Sequence, residues 1–211
     1  GNDLVIEKRT KSLCKVKPIK YGSISIDNGF LILNEDEKID LIKREPLSEK
    51  YIFTYDGGAE FIKNIKRYCL WLKDLNPNEL KLMPIVKEKI DSVRDFRFSS
   101  DREATKKLAE YPTLFGEDRQ PKNNYILIPK VSSETRQYIP LGFLNKSHIA
   151  NGSSMIVENA TLFEFGILTS IMHMAWIKYT CGRMKSDYQY SNTIVYNNYP
   201  FPKNVSEKQK K

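Results

Sequence analysis

Between Gly182 and Ser191 the chain sets Arg183, Lys185, Asp187 and Gln189 among Met184, Ser186, Tyr188 and Tyr190. These side chains can address base edges. Lysine donates to guanine O6 and N7 in the major groove, aspartate accepts from cytosine N4, and glutamine pairs with adenine N6 and N7. Lys185 and Asp187 stand two positions apart. In an extended segment they point to one face, about 6–7 Å apart along the chain, which suits the two halves of one G·C pair. Arg183 would share that face and take a phosphate or a second guanine. Tyr188 and Tyr190 would turn to the opposite face and pack on a core. The plainer alternative is a Lys185–Asp187 ion pair on a surface loop, worth about 0–1 kcal/mol.

Other chemistry lacks its inventory. The two histidines, His148 and His173, have no metal-ligand spacing, and His173 falls mid-helix among apolar residues, where packing is expected. Cys14, Cys69 and Cys181 are odd in number, far apart and without a CxxC pair, so neither a disulfide framework nor a zinc site is expected. No GxGxxG follows a strand and no GxxxxGK[ST] or GxSxG occurs. Glu35-Asp36-Glu37 falls at a predicted helix start, where acids favour the dipole.

Several signals place the elements around these residues. Asn28-Gly29, between Ser23–Ile26 and Phe30–Leu33, predicts a hairpin. Asn34 with Glu37, and Thr161 with Glu164, predict capping boxes. Pro84 opens a helix with Val86, Ile90 and Val93 as its apolar stripe; Lys87, Lys89, Arg94 and Arg97 are taken as off that stripe. Asp101 is read as the next cap. Tyr125–Val131, Tyr138–Leu144, Ser153–Val157 and Thr193–Tyr196 read as strands, with the polar turn Ser132–Arg136 after the first. One long buried helix is expected over 161–180, its core stripe Leu162, Phe165, Leu168, Met172, Trp176 and Tyr179. The fold class is α+β: a single mixed domain over 1–202, short strands in a small sheet packed by several helices, with a basic lead-in over 1–20. A polar, disordered tail is expected over 203–211.

Composition limits the remaining classes. The chain has 211 residues, 34 Lys+Arg against 26 Asp+Glu, a net charge of +8 and 40% hydrophobic residues. That is a globular composition with core enough for one large or two small domains. Phe165–Ile177 is the longest uncharged apolar stretch at 13 residues, short of the roughly 20 a membrane span needs. No membrane association is expected. No basic-then-apolar leader is present, and the unpaired cysteines suit a reducing, cytoplasmic setting. Gly1 in place of Met suggests a fragment of something longer. The basic excess leaves a polyanionic partner open.

The run GRMKSDYQYSNTIVYNNYPFP resembles the end of the target recognition domain of MmeI-like proteins. These bacterial enzymes join a DNA adenine-N6 methyltransferase, often a nuclease, and a DNA-recognition domain in one chain. GSISIDNGFLIL, YDGGAEFI, KRYCLWL, DSVRDFR, YILIPKVSSETRQYIPLGFL and FGILTSIMHMAWIKYTCGR resemble the family's other blocks, in its order, over roughly Gly22–Pro202. The resemblance implies sequence-specific binding of double-stranded DNA, with a covalent methyltransferase domain elsewhere in the parent chain. The family's Gly-rich S-adenosylmethionine loop and its Asn-Pro-Pro-Tyr tetrapeptide have no counterpart here. No cofactor, no metal and no catalysis are therefore expected on this chain, the parent being the methyltransferase and perhaps an endonuclease.

Matched position by position, Lys185, Asp187 and Gln189 fall where the family faces bases. Glu134 and Arg136, and Asn151 and Ser153, fall in the turn and loop that resemble its other presenting segments. Arg183, Ser133, Arg67, Arg94 and Arg97 are candidates for DNA backbone contact, with a solvated helix face as the alternative for the last three. For Ser132–Thr135 the alternative is that they only satisfy turn backbone groups. The competing function is a non-catalytic interaction or scaffold domain of the same enzyme.

Overall fold

A computed structural model describes residues 5–203, 205, 206 and 208. Most of the 203–211 tail expected to be disordered lies outside the described residues. In chain order the strands are β1 (Ile19–Tyr21), β2 (Ile32–Leu33), β3 (Ile52–Asp56), β4 (Tyr68–Leu70), β5 (Tyr125–Pro129), β6 (Val131–Ser132), β7 (Gly142–Leu144), β8 (His148–Ala150), β9 (Ser154–Glu158), β10 (Gly182–Met184) and β11 (Asp187–Gln189). The helices are α1 (Glu35–Arg44), α2 (Gly58–Lys63), α3 (Pro77–Leu80), α4 (Pro84–Phe98), α5 (Glu103–Lys107), α6 (Leu162–Leu168) and α7 (Ile171–Thr180). The class is α+β. The chain forms two compact units: Gly1–Tyr21, Pro121–Lys146 and Ser153–Lys211 make unit 1, and Gly22–Gln120 with Ser147–Gly152 make unit 2.

Unit 2 is built on a sheet ordered β2-β4-β3-β8, antiparallel except for the parallel β3–β8 pair. Asn34 and Glu37 form the expected capping box at α1. Helix α4 starts at Pro84, as expected, and buries Val86, Ile90 and Val93 against Leu31, Leu33, Leu70 and Phe115. Its first turn has no local cap; the buried Glu45 carboxylate accepts from Ile85 and Val86 N–H instead, placing negative charge at the positive end of the helix dipole.

Arg97 corrects the sequence reading. The interval from Val86 to Ile90, Val93 and Arg97 runs i, i+4, i+7, i+11, so Arg97 continues the buried stripe. Residue type argued for the surface; spacing argued for the core, and spacing wins. Arg97 is 0% exposed. Its Nε donates to Ile26 O (2.8 Å), Nη1 to Leu108 O (3.1 Å) and Tyr111 O (3.0 Å), and Nη2 to Ser25 O (2.8 Å) and Leu114 O (2.8 Å). All five donors of the guanidinium are used, so none is left for a DNA phosphate. One of those carbonyls belongs to Ile26, held at φ 48°, a conformation that β-branched residues avoid.

Two further expectations fail in unit 2. The flanks of Asn28-Gly29 turn but do not pair: Ser23 bridges Asn151, Ile32 pairs Cys69, and the Asp27 carboxylate accepts from Leu31 N–H to close the turn. Asp101 does not cap α5, whose start has no side-chain cap.

Unit 1 carries a four-stranded antiparallel sheet ordered β1-β9-β5-β7. Strand β5 is buried along its whole length, as its continuous apolar run requires. Ile126, Ile128, Met155 and Val157 face a core completed by Leu168, Met174, Ile177, Tyr188, Tyr190, Tyr196 and Phe201. Strand β7 covers only the end of the run read as a strand over Tyr138–Leu144. The expected strand at Thr193–Tyr196 is a π-helical turn, with Tyr196 N–H bonded to Ser191 O and Asn197 N–H to Asn192 O.

The long helix over 161–180 is broken in two. Thr161 and Glu164 box the start of α6 as expected, but Thr169 ends it, and Ser170 caps a second helix by accepting from His173 N–H. The break rotates the buried face. His173, Met174 and Ile177 face inward, while Leu162 (66%), Met172 (73%) and Tyr179 (92%) stand exposed.

Replacing Arg97 tests its structural role. Leu108, Tyr111 and Ser25 O each also accept a backbone N–H, so Arg97→Met removes the one side-chain donor to Ile26 O and Leu114 O and is expected to destabilise the protein by about 2–5 kcal/mol in urea unfolding. A loss under about 1 kcal/mol would contradict the assignment.

Candidate nucleic-acid interface

The candidate interface grows from the end of β5. After Pro129 the chain continues as β6, where Val131 pairs with Gln189 and Ser132 with Tyr188. Tyr190 N–H extends this ladder to Lys130 O at 2.7 Å. Strand β11 also pairs β10, giving a small antiparallel sheet ordered β10-β11-β6. The base-reading candidates of the 183–189 run and the 133–136 turn are therefore parts of one sheet.

The 183–189 run is not one extended strand. Met184 pairs with Asp187, so the chain reverses at Lys185-Ser186 in a two-residue hairpin turn. Lys185 has φ 56°, a left-handed conformation costing roughly 1–2 kcal/mol for a residue with a Cβ. The reversal changes the faces. Cross-strand partners share a face, so Gly182, Met184, Asp187, Gln189 and Val131 lie on one side and Arg183, Tyr188 and Ser132 on the other. Tyr188 turns to the core as expected, but Arg183 joins it and does not share a face with Asp187. The Arg183 guanidinium lies 4.0 Å above the Tyr188 ring, and Nη1 donates to Ser186 O at 3.0 Å.

The turn after β6 is self-bonded. Ser133 Oγ and Thr135 Oγ1 are 2.9 Å apart, and Arg136 N–H donates to Ser133 O at 3.2 Å. Ser133 thus serves the turn, as the plainer reading of Ser132–Thr135 had it. Among the described residues, the side chains of Glu134, Arg136, Lys185, Asp187 and Gln189 have no hydrogen-bond or ion-pair partner. The Lys185–Asp187 ion pair offered as the alternative is not formed. Ser153 is exposed, and its carbonyl accepts from Lys130 N–H at 3.1 Å, beside the start of β6.

The other candidates belong to unit 2. Asn151 pairs with Ser23 in a parallel bridge. Arg67 is exposed and faces Glu60 at 3.6 Å; Arg94 pairs with Asp91 at 2.9 Å on its own helix. Two contributors escaped the sequence reading. Lys130 joins the two sheets of unit 1 through its backbone, and Met184 stands exposed beside Asp187. The signal for Lys130 was present: a proline closing a buried run next to a polar turn.

The hairpin rests on a buried histidine, in the packing role its position suggested. His173 Nε2 lies 3.0 Å from Tyr190 Oη, and its ring meets Tyr199 edge-on at 4.6 Å. Burial pushes its pKa down to about 4. Among the described residues no group of three His, Cys, Asp or Glu is placed to hold a metal ion. No helix among them is long and apolar enough to cross a membrane.

The fold matches a known class of domain. The family model described as "MmeI, target recognition domain" covers residues 1–203, and the chain belongs to that family. It is 34% identical over 202 residues to DNA methyltransferase A of Bacillus subtilis (strain 168), covering 96% of this chain and 23% of that protein. A solved structure of the Type IIL restriction-modification enzyme MmeI in complex with DNA matches with a TM-score of 0.94 at 38% identity, over 100% of this chain and 28% of that one. The chain thus spans about a quarter of the length of these relatives.

The His173 packing has a pH signature. Its folded pKa of about 4 lies below the ordinary histidine value of 6.5. Between those values the unfolded chain takes up a proton that the folded state refuses, so this contribution is complete above pH 6.5 and is lost as the pH falls towards 4. Relative to His173→Gln, the wild type is expected to lose about 2 kcal/mol more between pH 7 and pH 5 in urea unfolding. Equal pH slopes would show that the histidine is not buried neutral.

Proposed function

We propose that this chain reads base sequence in double-stranded DNA for a larger adenine-N6 methyltransferase. The observation that carries the reading is the contrast between spent and unspent polar groups. Arg67, Arg94 and Arg97 have partners within the protein. Glu134, Arg136, Lys185, Asp187 and Gln189, on β11 and the two turns of one small sheet, have none among the described residues. A two-stranded ribbon such as β10–β11 fits the major groove. There Lys185 would donate to guanine O6 and N7, Asp187 accept from cytosine N4, and Gln189 pair with adenine. Glu134, Arg136 and Ser153 would address neighbouring positions. Asn151, in unit 2, would be a separate base contact. Backbone attraction comes from the net charge of +8, including Lys8, Arg9, Lys11 and Lys15 of the lead-in, and from Arg67 and Arg94 exchanging Glu60 and Asp91 for phosphate. S-adenosylmethionine and the flipped adenine would be held by the parent's methyltransferase domain, in the cytoplasm.

A second reading, an interaction module, is favoured by the exposed apolar residues Ile171, Met172 and Tyr179 on α7. It predicts no salt-dependent DNA binding.

Selection from randomised duplex DNA at two salt concentrations separates the two. The wild type is expected to enrich a short motif, and Lys185→Glu with Asp187→Arg to change one base pair of it, each good contact contributing about 1–3 kcal/mol of discrimination. Binding that is unselective and unaltered by the swap would overturn the reading.

A further inference from the structure

We propose that Arg183 is a positioning residue of the reading hairpin and makes no contact with DNA phosphate. The inference rests on the reading of Lys185 and Asp187 as base contacts.

Lys185 occupies a left-handed position at the first site of the turn, where glycine is the unstrained choice. A turn strained in this way persists only if its surroundings hold it. Arg183 supplies the hold from both sides of its planar group. One face lies 4.0 Å over the Tyr188 ring, a ring fixed in the core of unit 1. One edge donates to the carbonyl of Ser186, the residue between Lys185 and Asp187. The guanidinium thereby ties the tip of the turn to a buried aromatic ring. An extended phosphate-seeking arginine would make neither contact. Lysine cannot replace it: an ammonium has no flat face to stack while donating in plane.

Two measurements on the intact protein test this. In the absence of DNA, Arg183→Lys is expected to speed hydrogen exchange of the amides over 182–189 by about tenfold, with the remainder of unit 1 unaltered. In a Lys185→Gly background, where the turn is unstrained, the same substitution is expected to add little. Exchange unchanged by Arg183→Lys overturns the proposal, whatever the DNA results. In duplex selection, Arg183→Lys is expected to relax preference only at the base pair changed by the Lys185/Asp187 swap, leaving the salt dependence intact. If Arg183→Lys keeps full selectivity while Arg183→Gln lowers binding to all sequences and reduces the salt slope by about one phosphate contact, Arg183 is a backbone contact and the proposal is wrong. If the wild type selects no motif, the base-reading assignment fails, and the exchange result still decides whether Arg183 holds the turn.

Discussion

Unit 1 depends on one stretch of backbone, Tyr125–Ser132, that serves two sheets in succession. Its first part, β5, pairs β9 and β7 and is buried throughout. Its second part, β6, pairs β11. The residue between them, Lys130, donates to Ser153 and accepts from Tyr190. The β10–β11 hairpin is thus attached by backbone hydrogen bonds to the strand run through the core, and the burial of Tyr188 and Tyr190 anchors β11. Recognition groups held loosely lose discrimination, because a wrong base is rejected only if the side chain cannot move to accommodate it. A ribbon continuous with the core meets that requirement while leaving its tip in solvent.

Beside the exposed ion pairs such as Arg94–Asp91, two sets of polar side chains contrast. Arg97, Glu45 and Glu164 are buried and committed to backbone or capping partners, where they order loops and helix ends. Lys185, Asp187, Gln189, Glu134 and Arg136 are uncommitted. An exposed polar group gains little from an internal partner and keeps its full hydrogen-bonding capacity for a ligand. Substitution at such positions is expected to cost little stability, since no internal contact is lost.

Local signals were legible in the sequence. Both capping boxes, the Pro84 helix start and the buried run of β5 follow from spacing over a few residues. The candidate recognition segments were singled out by residue type and by resemblance to the family. Their geometry was not legible, because it depends on pairing across distance: nothing within Gly182–Ser191 says that Met184 faces Asp187, or that β6 supplies the third strand. Arg97 was misplaced because its chemistry was weighed above its position on the stripe. The break at Thr169-Ser170 was hidden within an apolar run whose periodicity suits a longer helix. The parallel pairing of β3 with β8, strands far apart in the chain, carried no local mark at all.

The most direct test of the account is hydrogen exchange of the intact protein with and without a duplex selected on it. The account predicts new protection over 131–137 and 182–189, with the α7 segment 171–180 unchanged. Protection confined to 171–180, with the hairpin and the turn after β6 unaltered, would contradict it.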